Sequence, residues 1–255
     1  MDKIKILNIG ILNITKKQLL EQMQEGMLVT PNLDHLIKLQ HDHEFYKIYQ
    51  KAKWVICDSR ILTLFSRLLK TRILQTIPGS SLFTAYYTYH KDDENCQIFL
   101  LGAKKGVAVK AMENINTKVG RQIIVGAYSP SFGFEKNKNE CEQIINIINS
   151  SGANVLLVGV GAPKQEKWIM KYRDHMSNVK LFMALGATID FEAGNIKRAP
   201  KFFQKFALEW LYRFVMEPRR LFKRYFVDDI QFFYYFAKQL LGLYKNPFEN
   251  ESVKE

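Results

Sequence analysis

Short apolar runs alternate with longer segments whose apolar residues recur at helical spacing along most of the chain. Such runs, bounded by turn residues, predict buried strands, and the segments between them predict helices that cross from one parallel strand to the next. This alternation indicates an α/β fold built on a parallel sheet. The predicted strands are Ile4–Ile11, Met27–Thr30, Trp54–Cys57, Gln97–Leu101, Gln122–Tyr128, Val155–Val160 and Lys180–Ala184. The predicted helices are Leu33–Ala52, Gly79–Tyr89, Gly106–Val119, Lys136–Ser150 and Pro163–His175.

Length and apolar content favour one main core. The chain has 255 residues, of which 47% are hydrophobic, enough for one large α/β domain or for one domain with an extension. Its formal net charge of +12 implies an anionic partner. Nucleic acid, anionic lipid and a phosphorylated substrate all satisfy that requirement, and composition does not choose among them.

Cysteine usage and the lack of a long apolar run indicate a cytoplasmic protein. The scattered Cys57, Cys96 and Cys141 form no CxxC pair and have no histidine at ligand spacing, which is typical of reduced thiols. The N-terminal apolar run has no small-residue cleavage site, so we expect no signal peptide. The most apolar C-terminal piece, Ile230–Tyr244, is interrupted by Lys238 and is too short to span a bilayer. Any membrane association is therefore expected to be peripheral.

The composition changes after Gly194. In the basic segment, residues 197–224, nine Lys or Arg residues stand against two acidic residues, with large aromatic residues between them. Pro218 is expected to divide this segment into two helices. A basic helix with aromatic residues on its other face can lie in a membrane interface, or the aromatic residues simply pack on the core. We expect an α/β core in residues 1–195 and a helical C-terminal appendage in residues 196–255.

Two glycine-rich loops follow predicted strands. Open parallel sheets bind ligands beyond the carboxyl ends of their strands, where loops and helix N-termini offer N–H groups to phosphate. Gly102 and Gly106 flank one such loop, and Gly159 and Gly161 begin another, so that the backbone can approach a pyrophosphate. Gly102 and Gly106 are equally typical of turn and helix-packing positions. Lys164 stands where a dinucleotide fingerprint needs a third glycine, so NAD binding is not supported.

Polar side chains follow other strands. Asp58 comes directly after an apolar run, where a carboxylate is a candidate catalytic or ligand-binding group and also a common helix cap. Thr30 and Asn32 end a strand and either bind a substrate or cap the following helix. Asp190 after the last strand has the same ambiguity.

Gln165 and Glu166 follow Pro163 in the first turn of a predicted helix. Their side chains are able to bind a sugar or a phosphate group. For Glu166 the alternative is compensation of the helix dipole.

Several motifs stand in a fixed order across residues 5–235. They are Thr30-Pro-Asn32, Asp58, Phe99-Leu-Leu-Gly-Ala103, Val158-Gly-Val-Gly-Ala-Pro-Lys-Gln-Glu166, Gly186-Ala-Thr-Ile-Asp-Phe-Glu-Ala-Gly194, Arg198-Ala-Pro200, Leu208-Glu-Trp-Leu-Tyr-Arg213 and Glu217-Pro-Arg-Arg-Leu221. In order and spacing the chain resembles the WecG/TagA/CpsF glycosyltransferases. An ordered match of this length is specific.

The resemblance implies a Rossmann-like parallel sheet with helices on both faces and a C-terminal helical appendage. It also implies transfer of a sugar, often N-acetylmannosamine or its uronic acid, from a UDP donor to a polyprenyl-diphosphate-linked saccharide, with inversion and with no metal or other cofactor. Such enzymes serve cell-envelope polysaccharide synthesis, as in teichoic acid, capsule or exopolysaccharide. The implied partners are the UDP-sugar, the lipid-linked acceptor and an anionic membrane surface, and an oligomer is possible. Nucleic acid is disfavoured because the basic residues lie in an aromatic segment without a recognised nucleic-acid-binding fold.

The resemblance also assigns roles to residues. Asp58 matches the catalytic base, which takes the proton of the acceptor hydroxyl as that hydroxyl attacks the anomeric carbon. Thr30, Asn32 and Gln165 match positions near the two sugars. The positions that match the UDP-binding surroundings are Gly102, Gly159, Gly161, Glu166 and Asp190. The basic positions, able to bind a diphosphate through charge-assisted bonds, are Arg198, Arg213, Arg219, Arg220 and Arg224.

Three positions near Asp58 depart from the family pattern. Ser59 stands where the family usually has Gly, Thr76 where it has Arg, and Ser81 where it has Asp. Either Arg60 or Arg72 takes the place of the missing arginine, or the sugar specificity differs. The alternative function is a catalytically impaired scaffold of the same fold that binds UDP at the membrane surface.

Overall fold

The computed structural model describes residues 2–196, 209–216, 218–223 and 229–249. Its strands are β1 (Lys3–Ile6), β2 (Ile9–Leu12), β3 (Gly26–Val29), β4 (Trp54–Val55), β5 (Ile98–Gly102), β6 (Ile124–Tyr128), β7 (Val155–Gly159) and β8 (Leu181–Ala184). Its helices are α1 (Lys16–Gln22), α2 (Leu33–His41), α3 (His43–Lys51), α4 (Arg60–Ser66), α5 (Gly79–Tyr89), α6 (Val107–Val119), α7 (Lys138–Ser150), α8 (Lys164–Tyr172), α9 (Thr188–Glu192), α10 (Glu209–Met216), α11 (Pro218–Lys223) and α12 (Ile230–Leu240).

Six strands form a parallel sheet in the order β4-β3-β8-β7-β5-β6. Strands β5, β7 and β8 are buried at every position, as expected for a parallel sheet covered on both faces. Residues from α2, α3, α7, α8 and α12 pack on one face, and residues from α1, α5, α6 and α9 pack on the other. The predicted α/β fold and its six parallel strands are confirmed, with differences of a few residues at the strand ends.

The first predicted strand, Ile4–Ile11, is wrong as a member of this sheet. The segment forms an antiparallel hairpin of β1 and β2, in which Ile6 pairs with Ile9 across a two-residue turn. Leu7 adopts a φ of +52° in that turn, and its N–H donates to Gln239 Oε1 at 2.8 Å. A side chain from the far end of the chain therefore helps to fix this turn, which the local apolar pattern does not reveal.

The predicted single helix Leu33–Ala52 is also wrong, because it is broken at Asp42. Helix α2 ends one residue before Asp42 and α3 begins one residue after it. Asp42 has an extended backbone, and its Oδ1 accepts a hydrogen bond from the N–H of Phe45 at 3.0 Å. Aspartate competes in this way with helix continuation by capping a new helix start.

The C-terminal helix α12 completes one face of the core. Phe232 and Phe236 are buried, and their ring centroids lie 5.8 and 5.4 Å from that of Phe65 on α4. Gln239 donates through Nε2 to the carbonyl of Lys5 at 2.9 Å. The apolar residues of α12 on this side are therefore core residues, and the division at residue 196 stays a prediction.

The two short helices of the basic segment agree with the predicted break. Helix α10 ends at Met216, and Pro218 is the first residue of α11, where proline fits the first turn. Across the parts of the chain described by the structure, no helix combines the length and the apolar character needed to cross a membrane.

Replacing Phe236 with Ala should lower the free energy of unfolding by about 3–5 kcal/mol, because removal of the buried ring leaves a cavity between α12 and α4. Urea unfolding followed by circular dichroism measures this loss. Ile230→Ala on the same helix is the control: Ile230 is 57% exposed, and we expect a change within about 0.5 kcal/mol. Equal effects of the two substitutions would contradict the packing of α12 on the core.

Candidate active site

The carboxyl ends of the six parallel strands share one edge of the sheet, and the loops that leave them separate around β7. Helix α8, which follows β7, packs on one face of the sheet. Helices α6 and α9, which follow the neighbouring strands β5 and β8, pack on the other face. Open α/β sheets bind ligands where successive connections part in this way. This edge is therefore the candidate active site.

Glycines let three strand ends approach one another closely. A Cβ on Gly102 would lie 2.4 Å from the carbonyl oxygen of Gly159, and a Cβ on Gly159 would lie 2.5 Å from the carbonyl oxygen of Gly186. Only glycine fits at Gly102 and Gly159, so both serve backbone packing first. Gly106 precedes α6 with a φ of +81° and is a turn residue. Gly161 has a φ of +88° and open space where a Cβ would stand, which leaves its backbone approachable.

Asp58 lies three residues beyond β4 and is half-buried. Its Oδ1 accepts a hydrogen bond from the N–H of Gly79, the first residue of α5, at 3.1 Å. The helix that directly follows Asp58 is capped instead by Ser59, whose Oγ accepts from the N–H of Leu62. Asp58 is thus held by a helix start that is distant in sequence. Its role as catalytic base stays a prediction.

Thr30 and Asn32 leave the end of β3. Thr30 is buried at the strand end. Asn32 caps α2, because its Oδ1 accepts from the N–H of His35 at 3.1 Å. The capping alternative is therefore realised for Asn32, and contact with a sugar stays a prediction for both residues.

Gln165 joins the loops that follow β7 and β8. Its Oε1 accepts hydrogen bonds from the N–H groups of Gly161 and Gly186, both at 3.1 Å. Its Nε2 donates to Oε1 of Glu166 at 2.9 Å. The structure therefore brings three residues predicted for the site, Gln165, Gly161 and Glu166, into one hydrogen-bonded group.

The Glu166 carboxyl is fully buried below this group. Within the described residues, its Oε2 has no hydrogen-bond partner. Burial raises the pKa of Glu166 to about 7, although the hydrogen bond from Gln165 and the charge of Lys38 act in the opposite direction. Direct contact of this carboxyl with a donor stays a prediction.

Helices α2 and α3 add polar residues that the sequence interpretation missed. His35 Nδ1 lies 2.8 Å from the hydroxyl of Tyr49. Burial raises the pKa of Tyr49 well above its usual value, and the charges of Glu166, Asp58 and Asp34 raise it further. The charges of Glu166 and of the candidate base Asp58 therefore act on the same buried hydroxyl. The sequence did contain a signal for them: His35 and Tyr49 stand at the same helical spacing as the buried apolar residues of α2 and α3.

Asp190 lies in the first turn of α9 and is half-buried. Burial raises its pKa, and the charge of Lys104 partly opposes that rise. Glu192 on the same helix accepts hydrogen bonds from Thr84 at 2.6 Å and from Tyr87 at 2.9 Å. These bonds fix α9 to α5, and with it the position of Asp190.

The arginines predicted to bind a diphosphate are only partly described. Arg198 and Arg224 lie outside the described residues. Arg213 belongs to α10, and Arg219 and Arg220 belong to α11, where Arg219 is exposed. Their contact with a diphosphate stays a prediction.

A family model described as the glycosyl transferase WecG/TagA/CpsF family matches residues 4–246. The chain belongs to this family. A relative from Bacillus spizizenii, an N-acetylglucosaminyldiphosphoundecaprenol N-acetyl-beta-D-mannosaminyltransferase, is 29% identical over 201 residues, which cover 79% of this chain and 75% of the relative. The resemblance carried by the motifs is confirmed, and the protein is a glycosyltransferase.

In this WecG/TagA/CpsF glycosyltransferase, hydroxyl groups hold the loop between Asp58 and α5. The Oγ1 atoms of Thr76 and Thr63 lie 2.7 Å apart, and Thr63 also donates to the carbonyl of Ser59. Ser81 Oγ donates to the carbonyl of Pro78 at 2.9 Å. All three departures from the family pattern therefore take part in hydrogen bonds, Ser59 and Thr76 before α5 and Ser81 in its first turn.

Glu166→Gln should change how the stability of this glycosyltransferase depends on pH. The pKa of Glu166 is about 7 in the folded chain against the ordinary glutamate value of 4.5, so the folded chain keeps a proton that the unfolded chain loses. This contribution to stability is complete below pH 4.5 and is lost as pH rises through 7, by roughly 3 kcal/mol. Glutamine does not ionise, so the unfolding free energy of the variant, relative to wild type, should rise between pH 5 and pH 8.

Urea titrations at several pH values measure that difference. Glu113→Gln, at an exposed position of α6, is the control and should run parallel to wild type. A Glu166→Gln curve that also runs parallel would show that Glu166 keeps no proton in the folded chain.

Proposed function

We propose that this glycosyltransferase moves N-acetylmannosamine, or a related hexose, from a UDP donor to a polyprenyl-diphosphate-linked saccharide of bacterial cell-envelope polysaccharide. The observation that carries the proposal is the half-buried Asp58 carboxylate, which accepts a hydrogen bond from the Gly79 N–H. It lies at the edge of the sheet where Gly102 and Gly159 allow the strand ends to approach closely. The name of the Bacillus spizizenii relative, an N-acetylglucosaminyldiphosphoundecaprenol N-acetyl-beta-D-mannosaminyltransferase, supports the sugar and acceptor classes.

Inverting transfer needs a base on one side of the anomeric carbon and a leaving group on the other. Asp58 takes the proton of the acceptor hydroxyl while the hydroxyl oxygen forms the new bond to that carbon. The bond between the anomeric carbon and the UDP oxygen breaks, and UDP leaves with the electron pair. Thr30 and Asn32 would lie beside the sugars.

The donor diphosphate is proposed to lie at the loop after β7. Gly161 has an approachable backbone there, and α8 begins three residues later. The N–H groups of a helix start favour an anion. Asp190 on α9 would contact the nucleoside part of the donor.

The developing charge on UDP needs positive partners if no metal takes part. We propose that arginines of the basic segment provide them, because a guanidinium binds a diphosphate through two parallel hydrogen bonds. Arg60 and Arg72 are the two candidates to replace the family arginine that is missing at position 76, and Arg60 is closer in sequence to Asp58. It is the first residue of α4 and stands two positions after Asp58.

We also propose that the basic segment holds the chain peripherally on an anionic membrane surface, where a lipid-linked acceptor resides. The exposed apolar residues on the helices of this segment, Val215 and Phe222, support that placement. Lysine and arginine each contribute about 1 kcal/mol of attraction near an anionic leaflet. The cytoplasmic face is the side on which UDP-sugars are expected.

Asp58→Asn should lower the rate of sugar transfer by about 10²–10⁴-fold, because the amide cannot accept the hydroxyl proton. Binding of UDP, measured by calorimetry, should change little, since the Oδ1 contact with Gly79 can persist. Asp92→Asn, at an exposed position far along the sequence, is the matched control. Full transfer by Asp58→Asn would exclude Asp58 as the base.

A donor screen scored by UDP release, with a short-chain lipid-diphosphate saccharide as acceptor, tests the proposed reaction itself. Release with one donor and acceptor pair would identify the sugar. UDP binding without turnover for any pair would favour the alternative, a catalytically impaired scaffold. Neither binding nor turnover would contradict the proposal as a whole.

Reversing two charges, Arg219→Glu with Arg220→Glu, should reduce sedimentation with anionic liposomes by about tenfold or more, since each lost attraction contributes about 1 kcal/mol. Charge reversal is preferable to deletion from residue 202 onward, because deletion also removes the buried Phe232 and Phe236. Neutral liposomes are the control. Undiminished sedimentation would show that these arginines do not hold the membrane.

A further inference from the structure

The Gln165 side chain continues the pairing of two strands beyond the point where their backbones separate. The β7–β8 ladder ends where Val158 pairs with Ala184, followed by one bond from the N–H of Leu185 to the carbonyl of Val158. Beyond it, Oε1 of Gln165 accepts from both Gly161 and Gly186. We call this arrangement the glutamine clamp.

The clamp needs a defined amide orientation. A carboxamide has an acceptor at one end and a donor at the other, so the two N–H groups require that Oε1, and not Nε2, points at them. Glu166 accepts from Nε2 at 2.9 Å and so binds the opposite end of the amide. Gln165 itself is almost fully buried, which leaves water little access to either end.

The position of the Glu166 carboxyl argues against direct contact with a ligand. It is fully buried on α8, and the charged or titratable groups that act on it are Lys38 and Asp34 of α2 and Tyr49 of α3. Contact with a donor would require this carboxyl to leave the interior. Contact with Gln165 requires no movement.

We propose that Glu166 is a positioning residue, which acts on the donor site only through Gln165 by holding the glutamine clamp on Gly161 and Gly186. The part that concerns the donor rests on the proposed function, whereas the clamp itself does not. Removing the acceptor at position 166 leaves the buried Nε2 of Gln165 without this partner, which disfavours the observed amide orientation. The loops after β7 and β8 then lose their shared acceptor.

Amide hydrogen exchange of the full chain, followed by NMR without substrate, tests the clamp. Glu166→Leu should speed exchange of the Gly161 and Gly186 amides by about tenfold, the effect of losing one buried hydrogen bond. Glu166→Gln retains an acceptor oxygen and should restore most of the protection. Ile169→Val, at a buried position of the same helix, controls for a general loss of packing and should not change these two amides selectively.

Unchanged exchange at Gly161 and Gly186 in Glu166→Leu would overturn the proposal. If that variant does not fold, Gln165→Ala decides, because loss of the clamp must expose the same two amides. Protection that persists in Gln165→Ala would overturn it equally.

UDP titration tests whether Glu166 acts through Gln165. Glu166→Leu should weaken UDP binding by about tenfold in the wild-type background and have no further effect in Gln165→Ala, because residues that act as one unit are not additive. An equal loss in both backgrounds would mean that Glu166 contacts the donor directly and would overturn the proposal. If the wild-type chain binds no UDP, the proposed function fails on its donor, and hydrogen exchange still decides the clamp.

Discussion

The close approach of three strand ends is the constraint on which the site depends. A Cβ on Gly102 or Gly159 would collide with a neighbouring carbonyl oxygen, so the ends of β5, β7 and β8 approach one another without side chains at these two positions. Beyond these strand ends the helices separate, with α8 on one face of the sheet and α6 and α9 on the other. Their separation opens the edge to a ligand and leaves backbone N–H groups that Gln165 partly satisfies. The close approach of the strand ends therefore determines both how this edge packs and where a ligand can reach it.

The sheet could be predicted because its strands carry their signal locally. Strands buried on both faces are continuous apolar runs, and the helices between them are long enough to be recognised by periodicity. The hairpin was missed because its turn depends on Gln239, far away in sequence. The break at Asp42 was missed because one capping bond outweighed an apolar pattern that continues through it. Local apolar patterns therefore predicted the strands of the sheet. A contact distant in sequence decided the hairpin, and a local capping bond decided the break at Asp42.

The part of the candidate site that follows from strand order could be predicted from the sequence. Residues after parallel strands must meet at one edge, so Asp58, Gly161 and Gln165 could be named without coordinates. The pairing of His35 with Tyr49 depends on how α2 and α3 pack, which strand order does not specify. The order of motifs supplied the sugar chemistry, since strand-end glycines and carboxylates are shared by many α/β enzymes.

Because helix α12 packs on the core, the basic segment is a connection between two parts of the core and not a free tail. Ile189 and Ala193 belong to the core before this segment, and Phe232, Phe236 and Gln239 return the chain to the core after it. The segment is therefore a span tethered at both ends. In general, a segment joined to a core at both ends samples a smaller volume than a free tail, which raises the effective concentration of its side chains. The diphosphate binding proposed for such a segment would need no encounter with a distant free end, and its strength would depend on the length between the two attachment points as much as on the charges themselves.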